Sequence, residues 1–190
     1  MTDQPARLFD GHDALFLALL ARAERYGEYG MGQSTLAAAH RGDRAVRAVD
    51  TAAVWVTHVE ASLSAAARMR TTLLHVDLGP VGNWGFPKSY ARRDHFHDYF
   101  EAPWSDGFAP DLVLIDGRFR VACFLTSVLR ATPGTHILFD DYSERGYYHL
   151  VEALVEPQQR TDRQAVFVVP EVLDRTVAED LLARFAYVMD

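Results

Sequence analysis

Six carboxylates stand where chemistry could be done: Glu28, Asp50, Asp77, Asp116 and the adjacent pair Asp140 and Asp141. Each sits at or just past the end of a segment that reads as a β-strand, and a random surface acid has no reason to recur there. Two glycines, Gly30 and Gly32, follow the first acid. Glycine at such a turn permits positive φ and lets a ligand approach the backbone closely. Ser34 or Thr35 can cap the helix that follows. Asp50 falls twenty residues past Gly30, at the next strand end, where a carboxylate can accept hydrogen bonds from both hydroxyls of a ribose. The run Glu28-Tyr29-Gly30-Met31-Gly32-Gln33-Ser34-Thr35, taken with Asp50 and its neighbour Thr51, therefore reads as a nucleoside site. The competing reading is a tight turn and a helix-capping acid.

The other chemistry-bearing residues are less organised. Arg118 and Arg120 could pair with Asp116 or meet an anionic group. The histidines of His95-Phe96-His97-Asp98 could share a metal, but spacing supplies no third ligand, and a solvated loop or lid is the better reading. Cys123 lies in an apolar helical pattern and reads as a buried structural thiol. His75 reads as a packed core histidine. Trp84 and Phe86, in the glycine- and proline-rich loop 79–87, could cover a substrate or anchor a turn. Trp55, soon after Asp50, could lie against a nucleoside base or pack its own helix. No Ser/His/Asp or Cys/His set calls for a covalent nucleophile.

These residues need a scaffold, and the pattern supplies an alternation. Helix is expected over 13–24, strand over 25–29, helix over 34–40 and strand over 45–49. A long helix over 52–69 and a strand over 72–76 follow. Residues 88–108 show no clear period and read mostly as loop with one short helix. Strand is expected over 111–115, helix over 119–130, strand over 135–139, helix over 146–155, strand over 165–169 and helix over 176–189. Near-continuous apolar strands alternating with amphipathic helices predict a three-layer α/β/α fold with a mainly parallel sheet. In such sheets the ligand lies beyond the carboxyl ends of the strands.

At 190 residues the chain is expected to form a single domain, 1–190; it is 49% hydrophobic and 24% charged, with a net charge of −7. That acidity disfavours a nucleic-acid partner and favours a small molecule. One cysteine allows no intrachain disulfide and fits a cytoplasmic protein. Residues 1–5 do not read as a secretory leader, and the apolar run 14–21 is too short to span a bilayer. Monomer and homodimer both stay open.

Two ligands fit the glycine loop, a dinucleotide and S-adenosylmethionine. The dinucleotide fingerprint wants a third glycine where this chain has Thr35. The motif E-Y-G-M-G-Q-S-T instead resembles the first motif of class I S-adenosylmethionine-dependent methyltransferases, and the order of the following acids extends the resemblance over residues 28–142. It implies a Rossmann-like methyltransferase fold. It implies that Glu28, Gly30, Met31, Gly32, Ser34 and Thr35 form the loop beside the cofactor's methionine, that Asp50 and Thr51 take the ribose, and that Asp77 lies near the adenine. Asp111–Gly117 and Ile137–Tyr142 resemble the cation-dependent small-molecule O-methyltransferases. That likeness implies Asp116, Asp140 and Asp141 as ligands of Mg²⁺, with Asp116 and Asp140 catalytic and Asp116 also beside the cofactor. The expected activity is methyl transfer to a small-molecule acceptor. A non-catalytic cofactor-binding protein and a nicotinamide-dependent oxidoreductase are the alternatives. The usual final antiparallel strand pair is not evident after Val169.

Overall fold

The computed structural model describes residues 7–190, so the leader expectation at residues 1–5 lies outside the described residues. Five parallel strands form the body of one sheet: β1 (Arg25–Tyr29), β2 (Ala45–Asp50), β3 (Thr71–His75), β4 (Leu112–Ile115) and β5 (His136–Phe139). An antiparallel pair, β6 (Gln159–Arg160) and β7 (Ala165–Val168), completes it, in the order β3-β2-β1-β4-β5-β7-β6. The antiparallel pair thus precedes Val169. Its first strand has two exposed residues and no apolar run to announce it.

The helices are α1 (Ala14–Leu20), α2 (Gln33–His40), α3 (Ala53–Ser62), α4 (Ala65–Arg68), α5 (Phe96–Glu101), α6 (Arg120–Arg130) and α7 (Arg175–Phe185). The single helix expected over 52–69 is broken at Leu63, whose ψ of 133° leaves the helix, and Ser64 caps α4 by accepting from the Ala67 amide. A serine before an alanine run was the missed start signal. Residues 88–108 hold more helix than expected: 3₁₀ turns at Arg93–His95 and Ala102–Gly107 flank α5. Residues Gly146–Ala153 form 3₁₀ rather than α-helix.

The sheet buries both faces. On one side Phe124, Phe139, Phe167 and Val113 pack with α5, α6 and α7; on the other Phe16, Tyr26, Leu112 and Leu138 pack with α1, α2 and α4. β1 is central although poorly apolar. Its two tyrosines serve opposite faces, and the Tyr29 hydroxyl is satisfied by donating to the Phe100 carbonyl at 2.7 Å and accepting from Trp104 Nε1 at 2.9 Å.

Register sets the site. Tyr29 pairs with Val49 and Ile115, and Ile115 with Phe139, so the central strands end level. One residue further, the amides of Gly30, Asp116 and Asp140 donate to the carbonyls of Val49, Tyr29 and Ile115 on the neighbouring strands, at 2.9, 3.0 and 3.0 Å. The acids past β4 and β5 and the glycine past β1 therefore stand in one row. No helix among the described residues is long and apolar enough to cross a membrane.

Candidate functional site

The chain leaves β1 toward β2 on one side and returns through β4 on the other. Above this switch point opens a cavity of about 660 Å³, within the range of small-molecule sites. Its floor is the contact between Gly30 and Gly117. A Cβ on Gly30, whose φ is +89°, would lie 2.8 Å from the Asp116 carbonyl oxygen, and one on Gly117 would lie 2.7 Å from the Gly30 nitrogen. Gly32 differs: it faces the cavity, and nothing lies within 4 Å of where its Cβ would be.

The acid of the glycine motif lies beneath the loop. Glu28 is fully buried and accepts from Ser34 Oγ, while its Oε2 has no partner. Burial pushes its carboxyl up to about 8, against the opposing hydrogen bond from Ser34. Thr35 is also buried and accepts the Gly32 amide at 3.0 Å. Glu28 and Thr35 brace the loop; Gly30, Met31, Gly32 and Ser34 line the cavity.

Asp50 lines the cavity too. Its Oδ2 accepts the Met31 amide at 2.8 Å and its Oδ1 the Ala52 amide at 2.7 Å. Burial raises its pKa, and these amide bonds pull it back. Each oxygen keeps a further lone pair for a ligand. Thr51 turns away, donating to the Gly85 carbonyl at 2.6 Å. That bond ties the 79–87 loop to the end of β2, and Trp84, three-quarters exposed, comes to lie beside Trp55 with ring centres 6.5 Å apart and planes 10° from parallel. Both indoles line the cavity. Asp77 does not line it; this exposed acid pairs with Arg92 at 2.8 Å and accepts the Gly79 amide.

Asp116, Asp140 and Asp141 do converge, with carboxylate oxygens within 4.8 Å of one another. Arginines meet all three. Asp140 is fully buried; Arg163 Nε and Nη2 reach its two oxygens at 2.9 and 2.6 Å, and Gln164 donates at 2.8 Å. Asp141 takes Arg145 at 2.7 Å, Arg163 at 2.9 Å and Arg120 at 3.2 Å. Asp116 takes Arg120 Nη2 at 3.1 Å and lines the cavity. Burial raises the Asp116 pKa, Arg120 opposes the rise, and the charges of Asp140 and Asp141 add to it. The pairing of Asp116 with Arg120 is one of the alternatives the sequence left open.

Several residues of this site escaped the sequence. Arg163 and Gln164 come from the β6–β7 turn, and Arg145 from the segment after β5. The turn at Leu8–Gly11 closes over the cavity with Leu8, Phe9 and Asp10, and Asp10 bonds Arg163 at 2.8 Å. The remaining candidates are accounted for elsewhere. His95 and His97 are exposed and both contact Asp98 at 2.9 Å. Cys123 is buried, and its thiol pKa is raised by burial. His75 is exposed on an edge strand rather than packed in the core, with Nε2 3.2 Å from the Thr51 carbonyl.

Across 98% of this chain and 97% of the other, the structure matches a methyltransferase-like protein from Silicibacter pomeroyi DSS-3, with 32% sequence identity and a TM-score of 0.81. The chain belongs to the class I S-adenosylmethionine-dependent methyltransferases. This methyltransferase also shares its fold with an O-methyltransferase from Bacillus cereus in complex with S-adenosylhomocysteine (15% identity, 81% and 77% covered, TM-score 0.53). A cofactor-bound protein, Rv0187, from MTB is a further fold neighbour (19% identity, 83% and 78% covered, TM-score 0.59). No protein-family model matches the chain, and no curated protein does. Family membership sets aside the nicotinamide-dependent oxidoreductase.

Proposed function

We propose that the cavity binds S-adenosylmethionine and that the protein transfers its methyl group to a small-molecule acceptor. The observation that carries this reading is the open space over Gly32 beside the Asp50 carboxylate, which accepts the neighbouring Met31 amide. A methionine chain needs close approach to the backbone, and a ribose needs a fixed acceptor for its hydroxyls; the two stand side by side here. The first-turn amides of Gln33 and Ser34, without backbone partners at the start of α2, suit the cofactor's carboxylate. Trp55 and Trp84 offer aromatic faces to the adenine. Glu28, Thr35 and Thr51 act by holding this wall in place, and the pairing of Asp77 with Arg92 supports a role in the loop rather than contact with the base.

The bound sulfonium supplies an activated methyl group, so the protein's work is orientation and proton handling. Of the carboxylates lining the cavity, Asp50 is assigned to the ribose, Asp10 pairs with Arg163 and Asp141 is held by three arginines. For a hydroxyl acceptor Asp116 is therefore the candidate base, and its raised pKa makes it a stronger base than a free aspartate.

Asp116, Asp140 and Asp141 do not fit Mg²⁺. That ion demands oxygen ligands in near-octahedral array, whereas the Asp140 oxygens are held by Arg163 and Gln164, and guanidinium groups already meet the negative charge. Asp140 is also absent from the cavity wall, which argues against its expected catalytic role and supports a positioning one.

A screen of hydroxylated small molecules with methyl-labelled S-adenosylmethionine tests the proposal. Turnover should survive EDTA, and Asp116→Asn should lower kcat about a hundredfold while S-adenosylhomocysteine still binds. Activity abolished by EDTA and restored by Mg²⁺ would contradict the metal-free reading. Cofactor binding with no turnover of any acceptor would favour the non-catalytic alternative.

A further inference from the structure

Arg118 differs from the arginines around the acid cluster. Arg120 is engaged through all three of its nitrogens: it donates to Gly117 O at 3.0 Å, Asp140 O at 2.8 Å, Asp116 at 3.1 Å and Asp141 at 3.2 Å. Arg118 lines the same cavity, yet its guanidinium makes no hydrogen bond or ion pair with any other described residue, and its Nε is sealed from solvent without a partner. None of the nearby acids contacts it: Asp50 and Asp190 act on Arg118 only through space, and the buried Asp190 Oδ2 has no hydrogen-bond partner of its own. Asp50 holds two backbone amides, Asp116 and Asp141 hold Arg120, and Asp190 Oδ1 accepts the Arg120 amide at 2.7 Å.

The local backbone leaves Arg118 little freedom to leave this wall. Its amide donates to the Tyr99 hydroxyl at 3.3 Å, and its carbonyl accepts from Cys123 Sγ at 3.3 Å. On one side Gly117 is wedged against Tyr99 and Gly30. On the other, Phe119 holds a left-handed φ of 54° and is buried among Phe96, Tyr99 and Phe100. A partly buried cation whose carboxylates stand off without direct contact is unfavourable unless a ligand supplies a contacting anion.

We propose that Arg118 binds an anionic oxygen group, a carboxylate or phosphate, on the methyl acceptor. The inference rests on the cofactor reading above, under which the α2 amides serve the cofactor's own carboxylate and leave Arg118 for the acceptor. The planar guanidinium fork suits either anion.

The test titrates benzoate, phenyl phosphate and neutral benzamide into protein saturated with S-adenosylhomocysteine, by calorimetry, for wild type and Arg118→Gln. At least one anion should bind and benzamide should not; the tighter anion identifies the group. Arg118→Gln should weaken that anion about tenfold or more, leave S-adenosylhomocysteine affinity unchanged, and not lower the Tm of the ligand-free protein. No anion binding, or equal binding in the variant, overturns the proposal. A fall in S-adenosylhomocysteine affinity in Arg118→Gln would place the residue on the cofactor's carboxylate, overturning the acceptor assignment while the cofactor reading stands. Failure of the wild type to bind S-adenosylhomocysteine would overturn the cofactor reading, and this inference with it.

Discussion

Glu28 braces the cavity's glycine loop from beneath without facing the cavity. It sits in the central strand, one turn of chain before the glycines, and its buried carboxyl takes Ser34 Oγ from the first turn of α2. Burial raises its pKa from 4.5 to about 8, so the folded state favours the neutral acid. The stability this contributes is fully present below about pH 4.5 and is lost as pH rises through 8. Glu28→Gln keeps a neutral group of the same shape and removes that titration. Thermal melts from pH 5 to pH 9 should show the wild type losing stability relative to the variant as pH rises. Parallel curves would mean that Glu28 stays charged in the fold. Its identity as part of the motif was legible in the sequence, but its depth was not. Acid-x-Gly-x-Gly spacing is the same whether the carboxylate points up into a cavity or down under a loop.

Among the elements, β1 and β4 meet so tightly that the crossing point tolerates only glycine. A Cβ on Gly117 would come 2.1 Å from the Tyr99 hydroxyl and 2.8 Å from the Tyr29 carbonyl carbon. Gly117→Ala should destabilise the protein by about 1–3 kcal/mol, the usual cost of overpacking, in denaturant titrations; unchanged stability would show that the crossing can open. The five parallel strands and their order of acids were readable because buried parallel strands are apolar throughout. β6 was not, since two exposed residues carry no period, and with it went Arg163 and Gln164 of the β6–β7 turn. The break at Leu63 was hidden because Ala61 before it and the alanines after Ser64 suit one helix as well as two. Residues 88–108 looked irregular because their 3₁₀ turns do not show the 3.6-residue period.

At the scale of the whole molecule, the carboxyl edge of the sheet divides into two halves. One half, from the glycine loop to Asp50 and the paired tryptophans, is neutral apart from one acid. The other is a lattice of acids and arginines joining β4, β5, the β6–β7 turn and the segment at residues 8–11. Asp140 lies at its buried centre. Asp140→Asn should cost about 3 kcal/mol, because it leaves the facing guanidinium under-compensated; a neutral result in chemical denaturation would make the lattice dispensable. On the proposed function, cofactor binding belongs to the first half and should not need the second half's charge to be balanced by a metal. Calorimetry with S-adenosylhomocysteine, in EDTA, on wild type and Asp50→Ala tests this most directly. The wild type should bind, and the variant should lose about tenfold or more in affinity, as expected for removing a charged hydrogen-bond acceptor. No binding to the wild type, or equal affinity in Asp50→Ala, would contradict it.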